Sequence, residues 1–205
     1  MRRPLSMMII SFPVVLVLVA AGHYSFDLPL SAFCQSMNPH VTAFFAVITH
    51  LGVSTWYLIG TAALFFIFRL MMHNRDQAQR MFYLFSVVAL SGLATNLIKW
   101  IAGRWRPNVF PTSGLYGFEL FGWGYEQTSF PSGHATTICS LAFALSVLYP
   151  RWRLLWLSVA LLVCLSRVVI GAHYPSDVLM GAYVGIFTAI LLRRWPLLGK
   201  SGQEG

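Results

Sequence analysis

Ser166-Arg167-Val168-Val169-Ile170-Gly171-Ala172-His173-Tyr174-Pro175-Ser176-Asp177 joins two apolar runs, Leu154 to Ala172 and Ser176 to Leu192. Both runs approach the ~20 helical residues that cross a hydrocarbon core. An arginine, a histidine and a carboxylate therefore sit where two membrane-length segments meet. Charge at membrane depth is costly unless compensated, so such residues are rare and usually functional.

Working outward, four more apolar runs have similar length: Leu5 to Gly22, Ser54 to Met72, Met81 to Ala102 and Ser132 to Leu148. The chain is 57% hydrophobic and only 10% charged, against about 25% charged in soluble domains. The expectation is an all-α integral membrane protein with six transmembrane helices, forming a single domain over residues 1–205. The first run, preceded by Arg2 and Arg3 and followed by Ala20-Ala21-Gly22, also has the form of a signal peptide. A retained helix is the reading adopted. Between the first two runs, Val41 to Ile48 is apolar but too short to span, and is expected as a short interfacial helix.

The formal net charge is +8. Such a total can indicate nucleic acid, but these charges fall in short clusters between apolar runs, so no nucleic-acid partner is expected. Ten of the 14 basic residues fall on one side of the predicted layout: Arg2, Arg3, Arg69, Arg75, Arg80, Arg151, Arg153, Arg193, Arg194 and Lys200. The positive-inside rule makes that side cytoplasmic, with both termini. The remaining four, Lys99, Arg104, Arg106 and Arg167, fall on the outer side. Cys34, Cys139 and Cys164 have no metal-ligand spacing, and the latter two read as small residues of apolar runs with no disulfide expected.

Two more polar strings share the outer side. Lys99 and Arg106 are seven residues apart, on one helical face if the helix continues to Pro107. They read equally as an anion site or as side chains snorkelling to headgroups. Arg104 between them is read as snorkelling. In Pro131-Ser132-Gly133-His134 the proline predicts a helix start. The amides of Ser132, Gly133 and His134 would then lie at a positive helix end suited to phosphate. The plainer reading is a capped helix with an interfacial histidine. Asp177, four residues beyond His173, could hold its Nδ1–H and leave Nε2 free, or simply join two helices as a buried pair. Residues 107–131, rich in glycine and aromatics, are expected as an irregular loop that is either a lid gripping lipid or an interfacial belt.

Jointly the strings Lys-x6-Arg-Pro, Pro-Ser-Gly-His and Ser-Arg-x5-His-x3-Asp resemble the signature of the type 2 phosphatidic acid phosphatase superfamily of membrane lipid phosphatases. Every position matches between Lys99 and Asp177. The resemblance implies that His173 is a nucleophile forming a phosphohistidine, with Asp177 as its orienting partner. It implies that His134 is the general acid and then the base. It assigns Lys99, Arg106, Ser132, Gly133 and Arg167 to the phosphoryl oxygens.

The resulting expectation is a phosphatase of lipid phosphate monoesters or diphosphates, acting on the extracytoplasmic face of a prokaryotic inner membrane. Phosphatidylglycerol phosphate or undecaprenyl diphosphate is the favoured substrate. A lipid A 1-phosphatase or a phosphotransferase of the same family is the alternative, and a lipid flippase or anion transporter is the rival from another class. No metal or cofactor is expected, because the outer-side carboxylates Asp27, Glu119, Glu126 and Asp177 are scattered in sequence. The partners expected are the substrate and the bilayer, with the chain a monomer or weak homodimer. Gly181 and Gly185 are expected to pack helices within the monomer.

Overall fold

The structure, a computed structural model, describes residues 3–193. Arg2, Arg194 and Lys200, counted among the inner basic residues, lie outside the described residues. Among those described, the chain is helical and has no strand, only an isolated bridge between Arg104 and Phe118.

The helices are α1 (Arg3–Ala21), α2 (Asp27–Gln35), α3 (Pro39–Ile48), α4 (Ser54–Phe66), α5 (Arg75–Ala102), α6 (Phe110–Ser113), α7 (Gly133–Leu148), α8 (Arg153–Val169) and α9 (Pro175–Leu192). A π-turn over Gly22–Phe26 carries α1 into α2, and a 3-10 turn over Thr49–Gly52 separates α3 from α4. By length and composition, five described stretches can cross a membrane: Ser6–Gln35, Pro39–Met71, Arg75–Ala102, Pro150–Val169 and Pro175–Leu192. The helix α7 is apolar but shorter, with 16 residues. Each of the six apolar runs read from sequence is thus helical, with shifted ends.

Local chemistry sets those ends. Asn38 caps α3 by accepting from the His40 amide, and Pro39 occupies the first helical turn. Ser132 caps α7 and Pro175 opens α9. At the end of α5, Gly103 turns left-handed with φ +53°, and a Cβ there would lie 1.7 Å from the Glu119 carbonyl oxygen. Only glycine fits that turn.

The helix stops at Ala102. It does not continue to Pro107, the condition under which Lys99 and Arg106 would share a face, so the two do not share one. The loop after it is also more ordered than expected. It folds back on the end of α5 through Glu119 N–H to Gly103 O, 2.7 Å, and Trp105 N–H to Gly117 O, 3.1 Å. It contains α6 and a 3-10 turn over Tyr125–Gln127.

The interior is knit mainly by α5, α7 and α9. Val87 and Val88 of α5 pack with Leu141 and Ala144 of α7 and Ala189 of α9. Hydroxyls bridge α5 and α7, with Thr95 donating to Thr136 at 2.9 Å and Ser91 to Ser140 at 3.3 Å. A Cβ on Gly181 or Gly185 would come within 2.4 Å of the Ser132 or Thr136 carbonyl. That glycine step therefore packs helices within one chain, as expected from sequence. The outward faces are apolar and exposed, including Ile10, Val17, Trp56, Ile59, Leu154 and Leu161, which suits a lipid surround. The basic residues of the other end cluster: Arg153 and Arg193 line one cavity with Pro150, and Arg80 lies over the Tyr149 ring.

Candidate functional site

The three polar strings meet at the end of the bundle opposite that basic cluster. Lys99 is the last basic residue of α5 and donates to the Thr128 carbonyl at 2.6 Å. Arg106 lies beyond the Gly103 turn, and its Nη2 reaches the same carbonyl at 3.4 Å. Its Nη1 donates to Ala172 O at 3.0 Å, next to His173, and its Nε to Tyr125 O at 2.8 Å. The two cations are gathered by one backbone oxygen rather than by helical periodicity.

Arg167, in the last turn of α8, is buried. Its Nη1 donates to Thr49 Oγ1 at 2.5 Å, and its buried Nε has no partner. An unpaired buried donor costs ~1–3 kcal/mol. The helix α8 ends at Val169, three residues before the expected Ala172, because Gly171 turns left-handed at φ +68°. That turn presents His173 back toward Arg106 and Lys99, whose charges both act on its ring.

His173 is almost completely buried. Burial pushes its imidazole down to about 3, against the opposing pull of the Asp177 carboxylate. The ring is therefore neutral at physiological pH. Asp177 Oδ2 is 3.7 Å from Nδ1, longer than a hydrogen bond. Ser129 sits between them, donating to Asp177 Oδ2 at 2.6 Å with its Oγ 3.4 Å from Nδ1. The expected direct His–Asp contact is thus close but bridged by a hydroxyl.

At the start of α7, Ser132 Oγ accepts weakly from the Ala135 amide, 3.5 Å. The Ser132 amide is not free as expected from sequence, for it donates to Asp177 O at 3.0 Å. This bond ties the start of α7 to the start of α9. Gly133 is next to the Lys99 stem, 3.9 Å from where its Cβ would be. His134 is half-buried in the first turn, within the electrostatic reach of Lys99, Arg106, Arg167 and His50. Its ring packs on Gly52, where an added Cβ would lie 2.8 Å from Cδ2.

Arg104 overturns the snorkelling expectation. It is fully buried, 0% exposed, and paired with Asp27 at 2.7 Å and Asp177 at 2.5 Å. Thr49, Gly52, Asp27 and Ser129 were given no role from sequence. A lone acid at the end of an apolar run, as Asp27 is, was the one signal that a buried cation needed it. Among the described residues no group of three or more His, Cys, Asp or Glu is placed to hold a metal ion.

Comparison with known proteins accords with this geometry. The model of the PAP2 superfamily matches residues 80–199. A lipid A 1-phosphatase of Rhizobium johnstonii is 35% identical over 88% of this chain and 79% of its own length. A lipid A 1-phosphatase of Rhizobium etli is 35% identical over 91% of this chain and 86% of its own. The crystal structure of a transmembrane PAP2-type phosphatidylglycerolphosphate phosphatase from Bacillus subtilis superposes with a TM-score of 0.63. It has 26% identity and covers 91% of this chain and 94% of that one. The chain belongs to the PAP2 superfamily. It is a multi-pass membrane protein, and its named relatives are phosphatases, in agreement with the enzyme class expected from sequence.

Proposed function

We propose that this chain is a metal-independent lipid phosphate phosphatase working through a phosphohistidine at His173. The observation that carries the reading is the convergence of three cations from separate segments, Lys99, Arg106 and Arg167, on two histidines at one end of the bundle. Phosphoryl transfer is mainly positioning and charge stabilisation, which these cations supply. The unpartnered Nε of Arg167 is a donor suited to a phosphoryl oxygen. Ser132 and the Gly133 amide complete the cradle at the positive end of α7.

In the proposed reaction Nε2 of neutral His173 attacks phosphorus while the bond to the leaving oxygen breaks. His134 gives that oxygen a proton. Water then attacks phosphorus, His134 takes its proton, and the phosphorus–nitrogen bond breaks. Asp177, through Ser129, orients the ring.

The two lipid A 1-phosphatases cover most of both chains at 35% identity, which supports lipid A 1-phosphate as the first substrate to test. This reorders the preference read from sequence, placing phosphatidylglycerol phosphate and undecaprenyl diphosphate after it. The exposed aromatic rim of Phe118, Phe121 and Trp123 suits a lipid approaching from the headgroup layer. The proposal includes six spans, with α7 the shortest, and α3 along the interface. It also places the site on the outer face of an inner membrane with both termini inside, in a single-domain monomer or weak homodimer.

The test is phosphate release by the purified full chain from lipid A 1-phosphate, phosphatidylglycerol phosphate, undecaprenyl diphosphate and phosphatidic acid in mixed micelles, with and without EDTA. Release unaffected by EDTA supports the reading. Binding without release would favour a transporter, and release abolished by EDTA and restored by Mg²⁺ would remove the metal-free mechanism.

A further inference from the structure

Arg104 is one of the unspecified positions within Lys99-x6-Arg106-Pro107, and Asp27 lies outside all three strings and outside the matched residues 80–199. Their side chains nevertheless meet at the carboxylate behind His173. Arg104 Nη1 donates to Asp177 Oδ1 at 2.5 Å and to Ser176 Oγ at 2.7 Å. Its Nη2 donates to Asp27 Oδ2 at 2.7 Å and to the Tyr116 hydroxyl at 3.3 Å, and lies 2.9 Å from His23 Nδ1. Asp27 in turn accepts from the Ser176 amide at 3.1 Å and the Ser176 hydroxyl at 2.5 Å. The guanidinium is roofed by the rings of Tyr174, 4.5 Å away, and Phe118, 5.0 Å away. The side chains of Arg104, Asp27 and Asp177 are all 0% exposed.

This arrangement divides the two oxygens of Asp177. Oδ1 is held by Arg104. Oδ2 accepts from Ser129 and the Tyr174 amide and faces the His173 ring. A carboxylate buried without a cation takes up a proton instead of staying charged. A protonated, unclamped Asp177 would no longer accept from Ser129 in the same way, and the hydroxyl bridge to Nδ1 would lose its direction. Arg104 itself needs two carboxylates around it, and Asp27, the first residue of α2, is the second.

We infer that Arg104 and Asp27 are positioning residues for the nucleophile: Arg104 keeps Asp177 ionised and aimed, and Asp27 holds Arg104 in place. The first span is thereby a working part of the site rather than a membrane anchor. The inference rests on the reading of His173 as nucleophile. Its competitor is a purely structural ion cluster joining the first span to α5 and α9. The groups facing the cluster are His23 and Asp27, Tyr116 and Phe118, Ser129, and His173, Tyr174 and Ser176, with the Lys99 and Arg106 charges also acting on Asp177.

The experiment compares the full chain with Arg104→Gln, Arg104→Lys, Asp27→Asn and the double variant Asp27→Asn/Arg104→Gln. Thermal midpoint is followed along with kcat and KM across pH, using whichever of the four panel lipids the wild type cleaves fastest. Arg104→Gln leaves two buried carboxylates uncompensated and lowers the midpoint. The double variant leaves one uncompensated buried carboxylate in place of two, so its midpoint recovers. Its kcat does not recover. It stays at least about tenfold down with KM within about threefold, and the acid limb of its kcat profile moves to higher pH because Asp177 now protonates more readily. Arg104→Lys recovers part of kcat, and Asp27→Asn loses less than Arg104→Gln. Recovery of kcat together with the midpoint in the double variant, or an acid limb that stays in place, would make the cluster structural only and overturn the inference. A wild type that releases phosphate from no panel lipid and forms no phosphohistidine would instead remove the nucleophile reading, and this inference with it.

Discussion

Arg167 and Arg104 are the same residue type at similar membrane depth, yet their surroundings differ. The two terminal nitrogens of Arg104 meet two carboxylates, a serine, a tyrosine and a histidine, while its buried Nε, like that of Arg167, has no partner. Arg167 has one hydroxyl partner and a bare Nε. The first has its terminal nitrogens committed to carboxylates within the fold, and the second has a single hydroxyl on its terminal nitrogens and donors left for a ligand. Arg167→Lys keeps charge but loses the planar fork that grips two phosphate oxygens. We expect at least tenfold lower kcat/KM, roughly 1.4 kcal/mol of transition-state stabilisation or more. Steady-state kinetics on the cleaved lipid checks this, and an unchanged kcat/KM would remove Arg167 from the phosphate cradle. The resemblance separated the two arginines by assigning Arg167 to phosphate, but nothing read from the sequence named the partners of either. Arg104 meets Asp27 across 77 residues and Arg167 meets Thr49 across 118, so partners at such separation left no spacing to read.

At the scale of elements, the ends at Ala102, Leu148 and Leu192 fell where the apolar runs ended, whereas α5 began at Arg75, six residues before Met81, because its first turns are polar. Pro175 opened α9, and Pro131-Ser132 led into α7, where helix starts were expected. The helix α8 ended three residues early, at Val169, and the left-handed turns at Gly103 and Gly171 swing Arg106 and His173 out of their helices. Residues 23–53 read as a long connection but are mostly helical, through α2, α3 and the Thr49–Gly52 turn. That turn brings Gly52 against His134. Gly52→Ala should push the His134 ring off its position and lower kcat by about tenfold, since sub-ångström misplacement of a proton donor is costly. A variant with wild-type kcat would show that the ring tolerates displacement. Gly181→Ala forces α9 away from the start of α7, where its Cβ meets Ser132 O. We expect a loss of about 1–3 kcal/mol in stability, visible as a lower melting temperature in detergent. An unchanged melting temperature would mean the two helices separate freely there.

At the scale of the whole molecule, the charge pattern and the bundle agree on two unlike ends. One carries Arg80, Arg153 and Arg193, and the other carries the histidines. The composition and the six apolar runs were enough to read a helical membrane protein, because hydropathy over ~20 residues is a strong signal. Which end faces outward is checked by single cysteines in a background lacking Cys34, Cys139 and Cys164. A cysteine at Thr112, exposed in the loop after α5, should react with an impermeant thiol reagent on intact cells. One at Asp76, exposed at the start of α5, should react only after lysis. The reverse pattern would put the histidines in the cytoplasm. The central claim, a covalent intermediate on His173, is tested most directly by rapid acid-free quench of the purified enzyme with radiolabelled lipid phosphate, followed by peptide mapping. The account predicts an acid-labile, base-stable phosphoryl group on the peptide carrying His173, and neither label nor turnover in His173→Ala. Turnover persisting in His173→Ala, or label on another residue, would contradict it.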